Sequence, residues 1–537
     1  MRVVSAREAA ALVPDGATIA VSGGSYRAVP ESLLEAIEAR FVDERRPEGC
    51  TVVALSMLER SRKGRGGEGS GLNRLAHRGL MSRLVVSSFS RNRESALNRF
   101  AQSDEVAAYN YPMGTILQWL RASAAGRRGV WTEVGVGTFV DPRLGGGCVG
   151  PGATVPLNRL ETVGGTEMLF YPSLTVDVAL VKATAADERG NLYLQREAYD
   201  HGVWDVAAAA RRTRGLVIAE VNEVVEVGTV HPRMGGVPGP VVDAVVVREE
   251  PWEDEQDPTL TGAARGIPPA RLGKSPRELI AQSAVRLLPE RSMVNLGAGL
   301  PMYDVPSAAR ALGRDDLYFT VEQGPMGGWP QVGGATLNPE LLLGQLEVFD
   351  FYEGGGPDVS VLAFGQIDRH GNVNVSRFGD MMPGCGGFVN IVHGARWLVF
   401  CGTLTTGGLA ESVIGGTLSI DEEGRTPRFV NEVEQITFNG RRGIAAGQRV
   451  TVVTERATFE VTERGFSLES VVAGVDFQKD ILARIPFPVE VSPTLTFVEP
   501  GGAPGLAAAA ATPRPAVPPG PETLEVPEGR ERRRGGH

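Results

Sequence analysis

The chain has 537 residues, a formal net charge of −10 and 42% hydrophobic and 22% charged residues; it is too long for one hydrophobic core, and its acidic balance offers no basic stripe for nucleic-acid phosphates. Four widely spaced cysteines without a C-x-x-C pair and six histidines without H-E-x-x-H spacing give neither a disulfide framework nor a metal site. The opening "MRVVSAREAAALVPDG" has no signal-peptide character and no apolar run reaches the roughly 18 residues of a membrane helix, so a cytoplasmic, metal-free, soluble protein is expected.

In chain order, Ser5 and Glu8 have the spacing of a capping box, which predicts a short helix ending near Pro14. A strand over Thr18-Ile19-Ala20-Val21 then runs into Gly23-Gly24, and "ESLLEAIEARF" (31–41) has a helical pattern. "VDVALVKATAADERGNLYL" (176–194) reads as a buried strand, a turn at Asp187-Gly190-Asn191 and a second strand. The polar, proline-bearing stretch 248–274 reads as a linker. Ser275, Pro276 and Glu278 then repeat the capping box, and Met293-Val294-Asn295-Leu296 is again a strand running into glycines, Gly297 and Gly299. "PDVSVLAFGQIDRHGNVNV" (357–375) repeats the strand–turn–strand pattern at Asp368-Gly371-Asn372. Two echoes in the same order indicate an internal duplication. The expected domains are 1–247, the linker 248–274, 275–495, and a low-complexity tail 496–537 too poor in apolar surface to fold.

Both halves mix helical patterns with continuous apolar strands such as "VDVALV" and "RWLVFCG" (396–402), the mark of strands buried on both faces. The expected fold is therefore α/β, two tandem similar domains with largely parallel sheets, whose ligands bind beyond the carboxyl ends of strands. In "TVEQGPMGGWP" (320–330), Glu322 stands at such an end, where Leu317-Tyr318-Phe319-Thr320-Val321 gives way to Gly324, Gly327 and Gly328. Glycine, at 69 residues, has roughly twice its usual share of about 7%. Its clusters let backbone N–H groups approach a ligand.

A carboxylate so placed can act as base, metal ligand or nucleophile. No His or Cys cluster supports a metal, and no local partner carboxylate supports glycoside hydrolysis. As a nucleophile toward an activated acyl group it needs oxyanion donors, which bare glycine backbones supply. "NLGAGLP" (295–301) lacks the third glycine of a dinucleotide fingerprint. Cys385 in "PGCGGF" has no local base and reads as a packing residue, and His77 as a structural or surface histidine.

The strings "VEQGPMGG", "FDFYEGGGPDVSVLAFGQIDRHGNVNVSRFG", "PGCGGFVNI", "FCGTLTTGGL" and "VEQITFNG" closely resemble the family I coenzyme A transferases of the acetate/propionate and 3-oxoacid kind, with the two subunit-like halves fused. "VSGGSYRAVPESL", "GLNRLAH", "GTFVDPRLGGG" and "ATAADERGN" extend the resemblance through the first half, so that it covers about residues 3–495. It implies a ping-pong transfer of CoA from a short-chain or 3-oxoacyl-CoA to a free carboxylic acid, with coenzyme A as substrate and no further cofactor. It places the family's catalytic glutamate on Glu322, makes Gly23, Gly24, Gly386 and Gly387 candidates for the oxyanion hole and CoA contacts, and implies a homo-oligomer. Met113 and Trp329 depart from the family pattern and are expected at the substrate pocket, with Trp329 reshaping the acyl site. The rival readings are an acyl-CoA hydrolase on the same scaffold and a non-catalytic CoA- or ligand-sensing module.

Overall fold

The Ser-x-x-Glu pairs fold as reciprocal caps at equivalent places in the two halves. Ser5 Oγ accepts the Glu8 N–H and Glu8 returns a carboxylate to the Ser5 N–H, opening the helix Ala6–Ala11. Ser275 and Glu278 do the same for the helix Pro276–Leu287, where Pro276 takes the first helical position. These bonds satisfy N–H groups that a helix start otherwise leaves orphaned. The computed structural model describes residues 2–24, 27–59, 61–62, 65–66, 69–90, 92–249, 275–331 and 334–500. The expected linker from residue 250 and the tail from residue 501 lie outside the described residues. The last strand, Val489–Val498, runs three residues past the expected boundary at 495 because its first part pairs with the strand Gly465–Val472 and its end continues that ladder.

In the first half, seven strands pair in parallel in the order Ala244–Val247, Leu216–Val225, Val178–Asp187, Thr18–Val21, Cys50–Ala54, Met81–Val86 and Ala107–Asn110. The strand Val178–Asp187 is buried at every position, as expected of a central parallel strand covered on both faces. The second half has five parallel strands: Tyr318–Thr320, Met293–Leu296, Val359–Ala363, Trp397–Cys401 and Arg449–Val453. Antiparallel strands Ala457–Thr462 and Gly465–Val472 extend one edge.

The duplication is visible bond by bond. Asp177 Oδ2 accepts the Thr18 N–H at 2.9 Å and Asp358 Oδ2 accepts the Met293 N–H at 2.8 Å. Asp187 accepts N–H groups from Arg189 and Asn191, while Asp368 accepts them from His370 and Asn372. Ala20 pairs with Ala179 and Val53, and Asn295 pairs with Ser360 and Thr320. Val53 and Thr320 thus occupy the same place in the two sheets. Two residues beyond Val53 stands the buried Leu55; two residues beyond Thr320 stands Glu322. Only the second half carries a carboxylate at this strand end.

Candidate active site

Glu322 follows the short strand Tyr318–Thr320, fixed below by the fully buried Val321. The chain then turns at Gly324, whose φ of +134° favours glycine and whose N–H donates to the Val321 carbonyl. Glu322 is half-buried. Protein rings it closely enough that burial pushes its carboxyl up to about 7, against a smaller lowering from the Gln323 side chain. Gln323 Nε2 donates to Glu322 Oε1 at 3.1 Å. The other oxygen, Oε2, accepts no hydrogen bond from the described residues and faces the Gly387 backbone. A Cβ at Gly387 would stand 2.0 Å from Oε2 and 2.8 Å from Phe349 Cε1. Only glycine leaves that oxygen its place.

The helix Gln345–Glu353 supplies two further walls. Phe349 is fully buried against Gly387, and the Tyr352 hydroxyl donates to Thr320 Oγ1 at 2.7 Å, bracing the strand end that presents Glu322. From the first half, Tyr199 fills the space over Gly24 and approaches Gly324, and Ala198, Tyr199 and Ala335 pack as a small apolar cluster. Glu322 thus sits at the junction of the two halves.

Of the four expected backbone donors, three are spent. The Gly23 N–H donates to the His201 carbonyl, Gly24 to Arg27, and Gly386 to Ser87 at 2.7 Å. The loops that carry these three glycines use the amides to hold their own shape; Gly387 differs. Its N–H has no partner among the described residues. Met113 begins the helix Met113–Ala124, is buried, and its sulfur lies 3.2 Å from Gln345 Nε2, on the flank of the site. Trp329 is half-buried in a small ribbon with Leu337, beside the helix Leu300–Ala311 and the strand Tyr318–Thr320. Cys385 is buried in the first half's core cluster, and burial pushes its thiol well above the ordinary range, in keeping with packing. His77 stays partly exposed, 3.1 Å from Glu38.

Sequence reasoning did not single out Gln323, Phe349, Tyr352 or Tyr199. Gln323 was signalled by adjacency to Glu322. The aromatic residues carry no signal beyond an apolar helical pattern, because they reach the site only through tertiary packing.

Residues 3–248 match the coenzyme A transferase family. Acetate CoA-transferase YdiF of Escherichia coli strain K12 is 33% identical over 518 residues, spanning 93% of this chain and 94% of its own. Caffeate CoA-transferase of Acetobacterium woodii is 35% identical, spanning 93% and 97%. The crystal structure of the E. coli O157:H7 acyl-CoA transferase YdiF, as a thioester complex with CoA, superposes with a TM-score of 0.83 at 32% identity, covering 93% of this chain and 95% of that one.

Proposed function

The chain belongs to the coenzyme A transferase family, and from that premise we propose that it moves CoA from an acyl-CoA to a free carboxylic acid such as acetate, with Glu322 as the covalent nucleophile. The observation that carries the reading is the Glu322 carboxyl: raised by burial to about 7, one oxygen held by Gln323, the other free against Gly387. A carboxylate of raised basicity is a stronger nucleophile, and near neutrality a large share of it remains ionised.

Oε2 attacks the thioester carbonyl, and collapse of the tetrahedral adduct expels CoA thiolate and leaves an acyl-glutamyl anhydride. The thiolate attacks the Glu322 Cδ carbonyl, breaking the anhydride; the acid departs as its carboxylate and a glutamyl-CoA thioester remains. An incoming carboxylate reverses the sequence and leaves as a new acyl-CoA, restoring Glu322. No proton is gained or lost over the cycle. The unspent Gly387 N–H is taken as the donor that stabilises the oxyanion, a contribution typically of about 3–4 kcal/mol. The nucleotide end of CoA, remote from the reacting atoms, supplies binding energy that offsets the cost of the anhydride.

The same reading takes coenzyme A as substrate without a further cofactor, in the cytoplasm, in a homo-oligomer. Among the described residues no helix is long and apolar enough to cross a membrane. Met113 and Trp329 are assigned to the substrate pocket, and Trp329→Val is expected to reorder the preference among acetyl-, propionyl-, butyryl- and acetoacetyl-CoA; an unchanged order removes Trp329 from the pocket. The test of the reaction is acceptor dependence. Added acetate is expected to accelerate loss of the acyl-CoA and to appear as acetyl-CoA, with parallel double-reciprocal lines. Acyl-CoA loss that ignores acetate and yields free CoA would establish a hydrolase instead.

A further inference from the structure

We propose that Asn390 is a positioning residue: through it the first turn of the helix Met113–Ala124, in the first half, holds the Gly386–Gly387 turn of the second half at its working distance from the Glu322 carboxylate. The inference rests on Glu322 being the nucleophile.

Asn390 is fully buried and lies in the first turn of the helix Phe388–Gly394, whose N-cap is Gly387. Its Oδ1 accepts the Gly114 N–H at 3.0 Å; its Nδ2 donates to Glu353 Oε1 at 2.7 Å and to Thr115 Oγ1 at 3.3 Å. The neighbouring Met113 N–H donates to the Gly386 carbonyl at 2.9 Å. Two N–H groups orphaned at a helix start are therefore satisfied by the second half, one by the Gly386 carbonyl and one by the Asn390 side chain. Gly114 has to be glycine for this fit, since a Cβ there would lie 2.7 Å from Phe349 Cγ and 2.8 Å from Asn390 Nδ2.

From the other side, Asn110 Oδ1 accepts the Cys385 N–H at 3.0 Å and the Ser87 carbonyl accepts the Gly386 N–H at 2.7 Å. The turn 385–387 thus takes its position from the first half, not from its own sheet. Glu353 ends the helix that carries Phe349 and Tyr352, so the Asn390–Glu353 bond ties that wall to the same junction. Loss of Asn390 leaves the Gly114 N–H and a Glu353 oxygen unpaired at the junction, and the helix that Gly387 caps loses a tie to the first half, which loosens the turn where Gly387 meets Oε2.

Asn390→Ala is expected to lower kcat about 30-fold or more, with KM for the acyl-CoA within about threefold, because a displacement near 1 Å at the reacting atoms costs on the order of a hundredfold. The acid limb of kcat/KM is expected to move down by about half a pH unit or more as water reaches the carboxyl. Tyr352 and Cys385, the titratable groups that sense Glu322, are both held well above this range. Glu353, the carboxyl bonded to Asn390, is itself raised by burial, so the same shift is read between Glu353→Gln and Asn390→Ala/Glu353→Gln, where that carboxyl is gone. A purely structural role lowers the folded fraction and leaves that midpoint in place; kcat per active site within twofold of wild type, or an unmoved midpoint, overturns the proposal. If Asn390→Ala gives no soluble protein, Asn390→Asp decides together with Asn390→Asp/Glu353→Gln. The first sets two carboxyls in contact, and the second restores a donor–acceptor pair while Asp still accepts from Gly114. Recovery of about tenfold or more in kcat supports the proposal; absence of recovery at equal thermal stability overturns it. Glu322→Gln anchors the series: full transfer activity there sinks the catalytic reading itself, whereas an inactive Glu322→Gln beside an unaffected Asn390→Ala sinks only the positioning role.

Discussion

Gly387→Ala isolates the contact on which the site depends. The residue has φ of −87°, a conformation that alanine adopts without strain, so the cost is purely steric. The new methyl would begin 2.0 Å from Glu322 Oε2 and 2.8 Å from Phe349 Cε1. Phe349 is fully buried and cannot retreat, whereas the half-buried carboxylate can. Restoring ordinary contact near 3.4 Å moves Oε2 by about 1.4 Å, away from the Gly387 backbone. A misplacement of about 1 Å costs on the order of a hundredfold, equivalent to about 2.7 kcal/mol of barrier. Steady-state CoA transfer is therefore expected to show kcat per folded site down about a hundredfold, beside a stability loss of about 1–3 kcal/mol from overpacking against Phe349. Gly386→Ala gives the contrast: at φ of +54°, with nothing within 4 Å of its Cβ, it costs about 1 kcal/mol of backbone strain and far less activity. A Gly387→Ala enzyme within about threefold of wild-type kcat, or Gly386→Ala losing as much, refutes the reasoning.

Four further outcomes follow from the charges. Because burial raises the Glu322 carboxyl to about 7, kcat/KM is expected to fall tenfold per unit as pH drops below about 7; a profile flat down to pH 5 contradicts that. The folded state disfavours this ionised carboxyl, so wild-type stability relative to Glu322→Gln declines as pH rises from about 4.5 through about 7. Discounted for partial exposure, the variant gains about 1–2 kcal/mol at pH 8 and nothing at pH 4, readable as two melting-temperature curves that coincide at low pH and separate as pH rises. Far from the site, the fully buried Arg456 holds Glu411, Glu423 and Glu455 at 2.9–3.1 Å. Arg456→Met is expected to destabilise by about 3–5 kcal/mol in denaturant unfolding. Glu411→Gln is expected to cost little at pH 7, since burial and then Glu455 push that carboxyl up to about 8 and keep it largely protonated.

What was legible in the sequence was local or periodic. Capping boxes, D-x-x-G-N turns and continuous apolar strands are short-range patterns, and they gave the duplication, the parallel sheets and the strand end that carries Glu322. What was not legible lies across hundreds of residues. Asn390 meets Gly114 over a separation of 276 positions, and Asn110 meets Cys385 over 275; nothing in either local pattern names the partner. The glycine clusters leave a related gap. Composition shows where a backbone can approach a ligand, but not whether its N–H is already donated, as at Gly23, Gly24 and Gly386.

The most direct test of the central claim is covalent. Incubation with an acyl-CoA without acceptor acid, followed by borohydride reduction or direct peptide mass spectrometry, is expected to place CoA, or the alcohol left by reducing its thioester, on the peptide that contains Glu322. The adduct is expected to vanish when acetate is added and to be absent in Glu322→Gln. Transfer activity without any adduct on that peptide, or an adduct that persists in Glu322→Gln, contradicts the account.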